Sequence, residues 1–222
     1  MDNCTTRIRS NYSVYLTRHG ARIDDSEWLK RCQHNRNEDP HLSRSGHIGA
    51  LELARRLKET PPESHIKHIV SSPYIRCVET SNAIAEELKL QIKIEPGIAE
   101  VNTSRSPQFL DAEQLQQQFP LIDVSFEPVM SRHDLTVEYS DAACANRSAI
   151  VARTVRAQLT GGIIFVGHGA SCLGIASAFG HRGYVGYTSL TKFVQLDGGK
   201  YRLDGKFGDV NHLTDQKSAL DM

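Results

Sequence analysis

Ile163-Ile164-Phe165-Val166-Gly167-His168-Gly169 is the stretch that decides the fold. Four apolar, largely β-favouring residues in succession read as a strand covered on both faces, the setting of a central parallel strand. Glycine and histidine follow at once, so the strand delivers a titratable side chain to a loop. Upstream, Ser140 and Asp141 can cap a helix running to about Leu159, stopped at Gly161-Gly162. Downstream, Phe193-Val194-Gln195-Leu196 and Tyr201-Arg202-Leu203 read as a hairpin around Asp197-Gly198-Gly199.

The N-terminal half repeats the alternation. Val14-Tyr15-Leu16 reads as a buried strand, and Asp24 to Pro40 as a charged surface excursion. A helix follows from Ser45, with Ile48, Leu51, Leu53, Ala54 and Leu57 as its apolar face and Pro61-Pro62 as its stop. His68-Ile69-Val70-Ser71 is a second strand. Pro73 then stands where a further helix can begin, continued by Val78, Ala83, Ile84, Ala85 and Leu88. Ile92-Lys93-Ile94 alternates as a third strand. Pro107, Pro120 and Pro128 break the segment from about 101 to 139, an expected insertion over the sheet edge with one short helix at Asp111–Phe119.

This order predicts an α/β fold of three layers, α/β/α: a mainly parallel sheet with helices on both faces and a small insertion over the site. With 222 residues the chain is expected to form one domain over 1–222, with a loosely held tail from about 208. Lys plus Arg equal Asp plus Glu, so the charge balance gives no reason to expect nucleic acid or a membrane surface as partner. No stretch approaches the roughly 18 apolar residues of a spanning helix, and Met1–Arg9 is polar. Five widely spaced cysteines without a CxxC argue against a disulfide framework or a zinc site. A cytoplasmic location is the expectation.

In parallel sheets ligands bind beyond the carboxyl ends of the strands. Three such ends carry Arg18-His19-Gly20 with Arg22, Ser71-Ser72-Pro73 with Arg76, and Gly167-His168-Gly169. The arginine fork matches phosphate oxygens. A neutral imidazole is a nucleophile, and surrounding cations disfavour its protonated form. Gly20 and Gly169 let backbone approach an oxyanion. His168 can donate to charge developing on the phosphoryl oxygens. Glu100, after Glu95-Pro96-Gly97-Ile98-Ala99, is the candidate general acid, with Asp111 and Glu113 as weaker ones. His65 and His68 have a metal-pair look but no third ligand nearby. Cys172 reads as a buried structural thiol, and Trp28 as packing near the pocket mouth.

Four ordered motifs resemble the histidine phosphatase superfamily, whose fold is phosphoglycerate mutase-like: Arg18-His19-Gly20, Leu42-Ser43-Arg44-Ser45-Gly46 with Ala50, Ser71-Ser72-Pro73-Tyr74-Ile75-Arg76 with Thr80, and Gly167-His168-Gly169. The resemblance covers Val14 to Leu203. Arg18-His19-Gly20-Ala21-Arg22-Ile23-Asp24 and Ile94-Glu95-Pro96-Gly97-Ile98-Ala99-Glu100 bring it nearest to the phosphatase domains of suppressor-of-T-cell-receptor-signalling proteins and insect ecdysteroid-phosphate phosphatases. It implies a phosphomonoesterase with a phosphohistidine on His19. Arg18, Arg22, Arg76, His168 and Gly169 would bind the phosphoryl group, and Glu100 would serve as acid, then base. No metal or cofactor is implied. The substrate would be a phosphorylated small molecule or a phosphotyrosine-containing one. Relatives in that subgroup form dimers and carry further domains, and this chain has room for the catalytic one. Ala21 stands where much of the family has Glu, and Val101-Asn102-Thr103 replaces the mutase run, which argues against phosphoglycerate mutase activity. The rival from another class is a regulatory domain that binds a phospho-ligand with little turnover.

Overall fold

Strand β1 (Ile8–Arg18) runs through the middle of a six-stranded sheet. The computed structural model of the chain describes residues 8–25, 39–61 and 65–220. Most of the Asp24–Pro40 excursion, with Trp28, lies outside the described residues, as do Cys4, Cys32 and Pro62. The chain continues through α1 (Arg44–Lys58), β2 (Ile66–Ser71), α2 (Ile75–Leu88) and β3 (Ile92–Ile94). Past the insertion, which holds the short α3 (Ala112–Gln116), come α4 (Asp141–Gln158), β4 (Gly162–Gly167) and α5 (Gly169–Ala178). The hairpin β5 (Thr191–Leu196) and β6 (Tyr201–Leu203) and a final helix α6 (Gln216–Leu220) close the described chain.

The spatial strand order is β3-β2-β4-β1-β5-β6. β3, β2, β4 and β1 pair in parallel, while β5 pairs antiparallel to β1 and β6 antiparallel to β5. The sheet is therefore mostly parallel with an antiparallel edge. Chirality fixes the layers. The chain moves one way from β1 to β2 to β3 and then reverses to reach β4. Right-handed crossovers accordingly place α1 and α2 on one face and α4 on the other. Strand alternation matches this. Tyr15, Ile69, Ile164 and Val166 pack with Leu53, Leu57, Val78 and Ile84, whereas Val14, Leu16, Val70, Ile163 and Phe165 pack with Val151, Val155, Ile175 and Ala176.

The reversal also decides where the chemistry falls. β4 inserts between β2 and β1, so three loaded strand ends become neighbours. Their loops prolong the ladder by backbone bonds: His19 N donates to Gly167 O and Ser72 N to Val166 O, both at 3.0 Å.

One expectation changes. Ile48 and Leu51 were placed on the apolar face of α1, yet both are about half exposed, and Gly46, Ala50, Leu53, Ala54 and Leu57 form the buried stripe. The described part of the segment after Gly208, to Leu220, makes packing contacts. Val210, Leu213 and Ala219 are buried together, and Tyr187 N donates to Ala219 O at 3.0 Å. The insertion meets the sheet edge as expected, with Ile122 bridging Ile92.

Candidate active site

His19 follows β1 directly, with 1% of its surface exposed. Its Nδ1 lies 2.8 Å from Gly20 O. A carbonyl only accepts, so Nδ1 carries the proton and the lone pair sits on Nε2. Arg76 Nε donates to that Nε2 at 3.3 Å. Burial, then the charges of Arg76 and Arg18, hold the His19 imidazolium well below its usual pKa. The side chain is a neutral imidazole with an oriented lone pair.

His168 sits at the end of β4, its ring centroid 5.2 Å from that of His19. It too is held neutral, by burial and then by Arg76. Arg76 Nη2 stands 3.2 Å from its Nδ1, and Ser72 Oγ stands 2.7 Å from its Nε2. Guanidinium has only donors, so here Nδ1 accepts and Nε2–H donates to Ser72. A hydroxyl serves either way, so Ser72 supports the opposite tautomer as well.

Arg76 is the second residue of α2 and is 2% exposed. Besides the two imidazoles its guanidinium meets Asp39 Oδ1 at 3.4 Å and Glu100 Oε2 at 3.6 Å, and packs 4.6 Å over the Tyr74 ring. Asp39 also accepts from Ile75 N at 2.8 Å, securing the start of that helix. Thr80 Oγ1 donates to Arg76 O at 2.8 Å and accepts from Gly20 N at 3.0 Å, joining the His19 loop to the Arg76 helix.

Arg18 leaves the end of β1 with its guanidinium 4.1 Å over the ring of Tyr187. Tyr187 Oη donates to Asp25 Oδ2 at 2.9 Å. Asp25 Oδ2 also takes the Arg22 amide at 2.9 Å. Arg22 is held in fork geometry by Asp24, with both bonds at 2.8 Å. It lines the cleft while already paired to that carboxylate, the salt-bridge state that competes with phosphate binding. Gly169 opens α5, and a side chain there would meet nothing nearer than Arg18 Cζ at 4.0 Å, leaving room for an oxyanion. Gly20 has a different need, since a Cβ would lie 2.6 Å from Gly46 O.

Glu100 Oε2 stands 3.4 Å from His168 Nδ1, on the rim of an open cleft of about 620 Å³ walled by Arg22, Arg76, Tyr74, Asn102 and Pro107. Asp111 is elsewhere: it caps α3 through Gln114 N at 3.0 Å and, with Glu113, lines a separate cleft behind the insertion. Among the described residues no group of three or more His, Cys, Asp or Glu is arranged to hold a metal. His68 Nε2 meets Thr160 O at 2.9 Å instead. Cys172 is buried, with Sγ donating to Thr17 O at 3.4 Å, and burial pushes its thiol pKa up, as it does for Cys77. No described helix is long and apolar enough to cross a membrane. Sequence reasoning missed Tyr187, Asp39 and Arg147. Each acts through a contact far along the chain, and none lies in a local motif.

Neutral histidines at adjacent parallel strand ends, with arginines packed around them, make a cationic pocket whose chemistry suits a phosphoryl group. The sequence model of the histidine phosphatase superfamily (branch 1) matches residues 14–202, and the chain belongs to that superfamily. Human ubiquitin-associated and SH3 domain-containing protein A is 28% identical, over 72% of this chain and 30% of that protein. The ecdysteroid-phosphate phosphatase of Drosophila melanogaster is 27% identical, over 71% and 25%. The chain thus spans under a third of the length of these relatives. Among solved structures, the silkworm ecdysone phosphate phosphatase in complex with tungstate superimposes with TM-score 0.64 at 20% identity, covering 89% of this chain and 96% of that one. Bacillus stearothermophilus YhfR gives 0.62 at 19%, covering 90% and 98%.

Proposed function

We propose that this chain hydrolyses phosphomonoesters through a phosphohistidine on His19 Nε2. The observation that carries the reading is the Nδ1–H bond to Gly20 O, which fixes the lone pair on the nitrogen facing Arg76. In the first step Nε2 attacks phosphorus, the P–O ester bond breaks, and Glu100 gives its proton to the leaving oxygen. In the second, Glu100 takes a proton from water, the water oxygen bonds to phosphorus, and the P–N bond breaks to restore the neutral imidazole. Phosphate oxygens take over the contacts that Arg76 now makes with the imidazoles. Arg18, Arg22, His168 and the Gly169 amide region complete the anion pocket, and the Ser72 hydroxyl lets His168 turn an N–H toward it.

No step is routed through a metal. The alcohol part of the substrate would occupy the cleft bounded by Tyr74, Asn102 and Pro107. Relatives named as ecdysteroid-phosphate phosphatases support a phosphorylated small molecule, and phosphotyrosine remains the second candidate, for which the Tyr74 ring at the cleft wall speaks.

The test is p-nitrophenyl phosphate hydrolysis between pH 4.5 and 8 with EDTA, wild type against His19→Ala, with trapping of acid-labile phosphoenzyme. Turnover and label both lost in His19→Ala is the expected result. Vanadate binding without turnover in the wild type would replace the enzyme by a phospho-ligand-binding domain, a reading supported by Arg22 being already paired to Asp24.

A further inference from the structure

Arg147, on α4 behind the site, touches neither imidazole, yet its guanidinium is committed to the segment that carries Glu100. Nη1 donates to Gly97 O at 2.9 Å, and Nη2 donates to Ala99 O at 3.3 Å and to Glu100 O at 3.2 Å. The same fork holds Glu138, with Nε to Oε1 and Nη2 to Oε2 both at 2.8 Å. Glu138 in turn accepts from Asn102 N at 3.0 Å, and its own amide donates to Asn102 O at 2.7 Å. Asn102 Nδ2 reaches Thr136 O at 3.0 Å. At the other end of the segment, Glu95 is fully buried, accepting from Gly97 N at 2.8 Å and Val129 N at 2.6 Å. Residues 95 to 102 are therefore pinned on both sides of Glu100 to the returning arm of the insertion, with Arg147 as the shared joint.

A buried ion pair alone contributes little or nothing relative to an apolar pair of the same shape. One planar fork that satisfies successive carbonyls and a carboxylate fixes a backbone path, as lysine's single ammonium cannot. We propose that Arg147, acting with Glu138, is a positioning residue for the general acid: it sets where the Glu100 carboxyl stands over His168 and Arg76. This rests on the reading of Glu100 as the acid. A displaced acid costs proton donation, which a poor leaving group needs and p-nitrophenolate hardly needs. The phosphate pocket, built on other elements, stays intact.

The experiment compares Arg147→Lys, Glu138→Gln and Glu100→Gln on p-nitrophenyl phosphate and on an alkyl phosphate, with vanadate affinity as the pocket readout. Arg147→Lys and Glu138→Gln are each expected to lose about tenfold more kcat/KM, which reports the step that expels the leaving group, on the alkyl ester than on the aryl ester, within the range of general acid catalysis. Vanadate affinity is expected to hold. Arg147→Lys added to Glu100→Gln is expected to cost nothing further on the alkyl ester. Equal losses of kcat/KM on both esters, or a parallel loss of vanadate binding, would show a merely structural role and overturn the proposal. Glu100→Gln without leaving-group dependence would remove the acid reading itself, whereas that dependence in Glu100→Gln alone would remove only the role of Arg147. Glu138→Gln keeps the Arg147 side chain and removes the carboxylate charge that orients its fork, so it decides the matter if Arg147→Lys does not fold.

Discussion

Arg76 Nε points at His19 Nε2 from 3.3 Å, so the imidazole's lone pair is aimed at a permanent cation. Arg76 also reaches His168, Asp39 and Glu100, which makes one side chain the meeting point of three strand ends. A group in that position depresses the basicity of His19 and supplies a fork for the incoming anion.

Arg76→Lys keeps the charge and removes the fork. It is expected to lower kcat/KM for p-nitrophenyl phosphate by about a hundredfold, the scale for removing one preorganised donor. Steady-state kinetics on folded protein check it. A variant within a few-fold of wild type would mean that charge alone suffices and that the planar geometry is incidental.

Tyr187 separates two contributions to the Arg18 side of the pocket. Tyr187→Phe leaves the ring beneath the guanidinium and removes the hydroxyl bond to Asp25. Tyr187→Leu removes both. Vanadate titration is expected to show a small loss for Phe and about a tenfold loss for Leu, the size of a partly desolvated cation–π contact. Equal losses would assign the effect to the Asp25 bond.

Why some of this was legible and some not follows from the residues. The strand Ile163–Val166, the cap at Ser140, and the histidines after β1 and β4 are local signals, and the structure bears out the elements they predicted. Ile48 and Leu51 obey the helical period yet face outward, Ile48 beside the C-terminal segment, because a period marks a face without saying what covers it. Tyr187 reaches the site through a bridge between its own backbone and that of Arg18, set by how the chain returns after α5. Asp39 and Arg147 act through bonds to Ile75 N and Glu100 O, far away in sequence, so no local pattern marks them.

Acid should unfold this protein through its site. His19 and His168 have pKa values depressed by burial and then by Arg76. A depressed folded value means stability is full above the ordinary value of 6.5 and is lost as pH falls toward the folded values, because the unfolded chain takes protons that the native one refuses. Asp39 runs the other way. Burial raises it to about 6, so its contribution is present below its ordinary 3.8 and is lost as pH rises through 6. Urea midpoints at pH 7.5 and 5.5 are expected to fall with acid in the wild type and to fall less in His168→Gln. An unchanged acid slope in that variant would exclude His168 as a source.

Gly46→Ala tests how the His19 loop is seated. Ser43 caps α1 by accepting from Gly46 N at 3.0 Å, and Ser43 N donates to Ala21 O at 2.8 Å. The backbone of Gly20 and Ala21 therefore rests directly on the first turn of the helix. A Cβ on Gly46 would stand 2.1 Å from Ala21 O, and one on Gly20 would stand 2.6 Å from Gly46 O. The two glycines face each other because neither side has room for a carbon. Alanine at 46 must push the Ala21 carbonyl away, and His19 is two residues back along the same loop. Overpacking of this kind costs about 1–3 kcal/mol. Thermal melts and p-nitrophenyl phosphate kinetics on the same samples are expected to show lower stability together with reduced kcat at temperatures where the variant is still folded. Lower stability with normal turnover would mean that the loop relocates as a unit and that the Nε2 geometry is held by Gly167 and Arg76 alone.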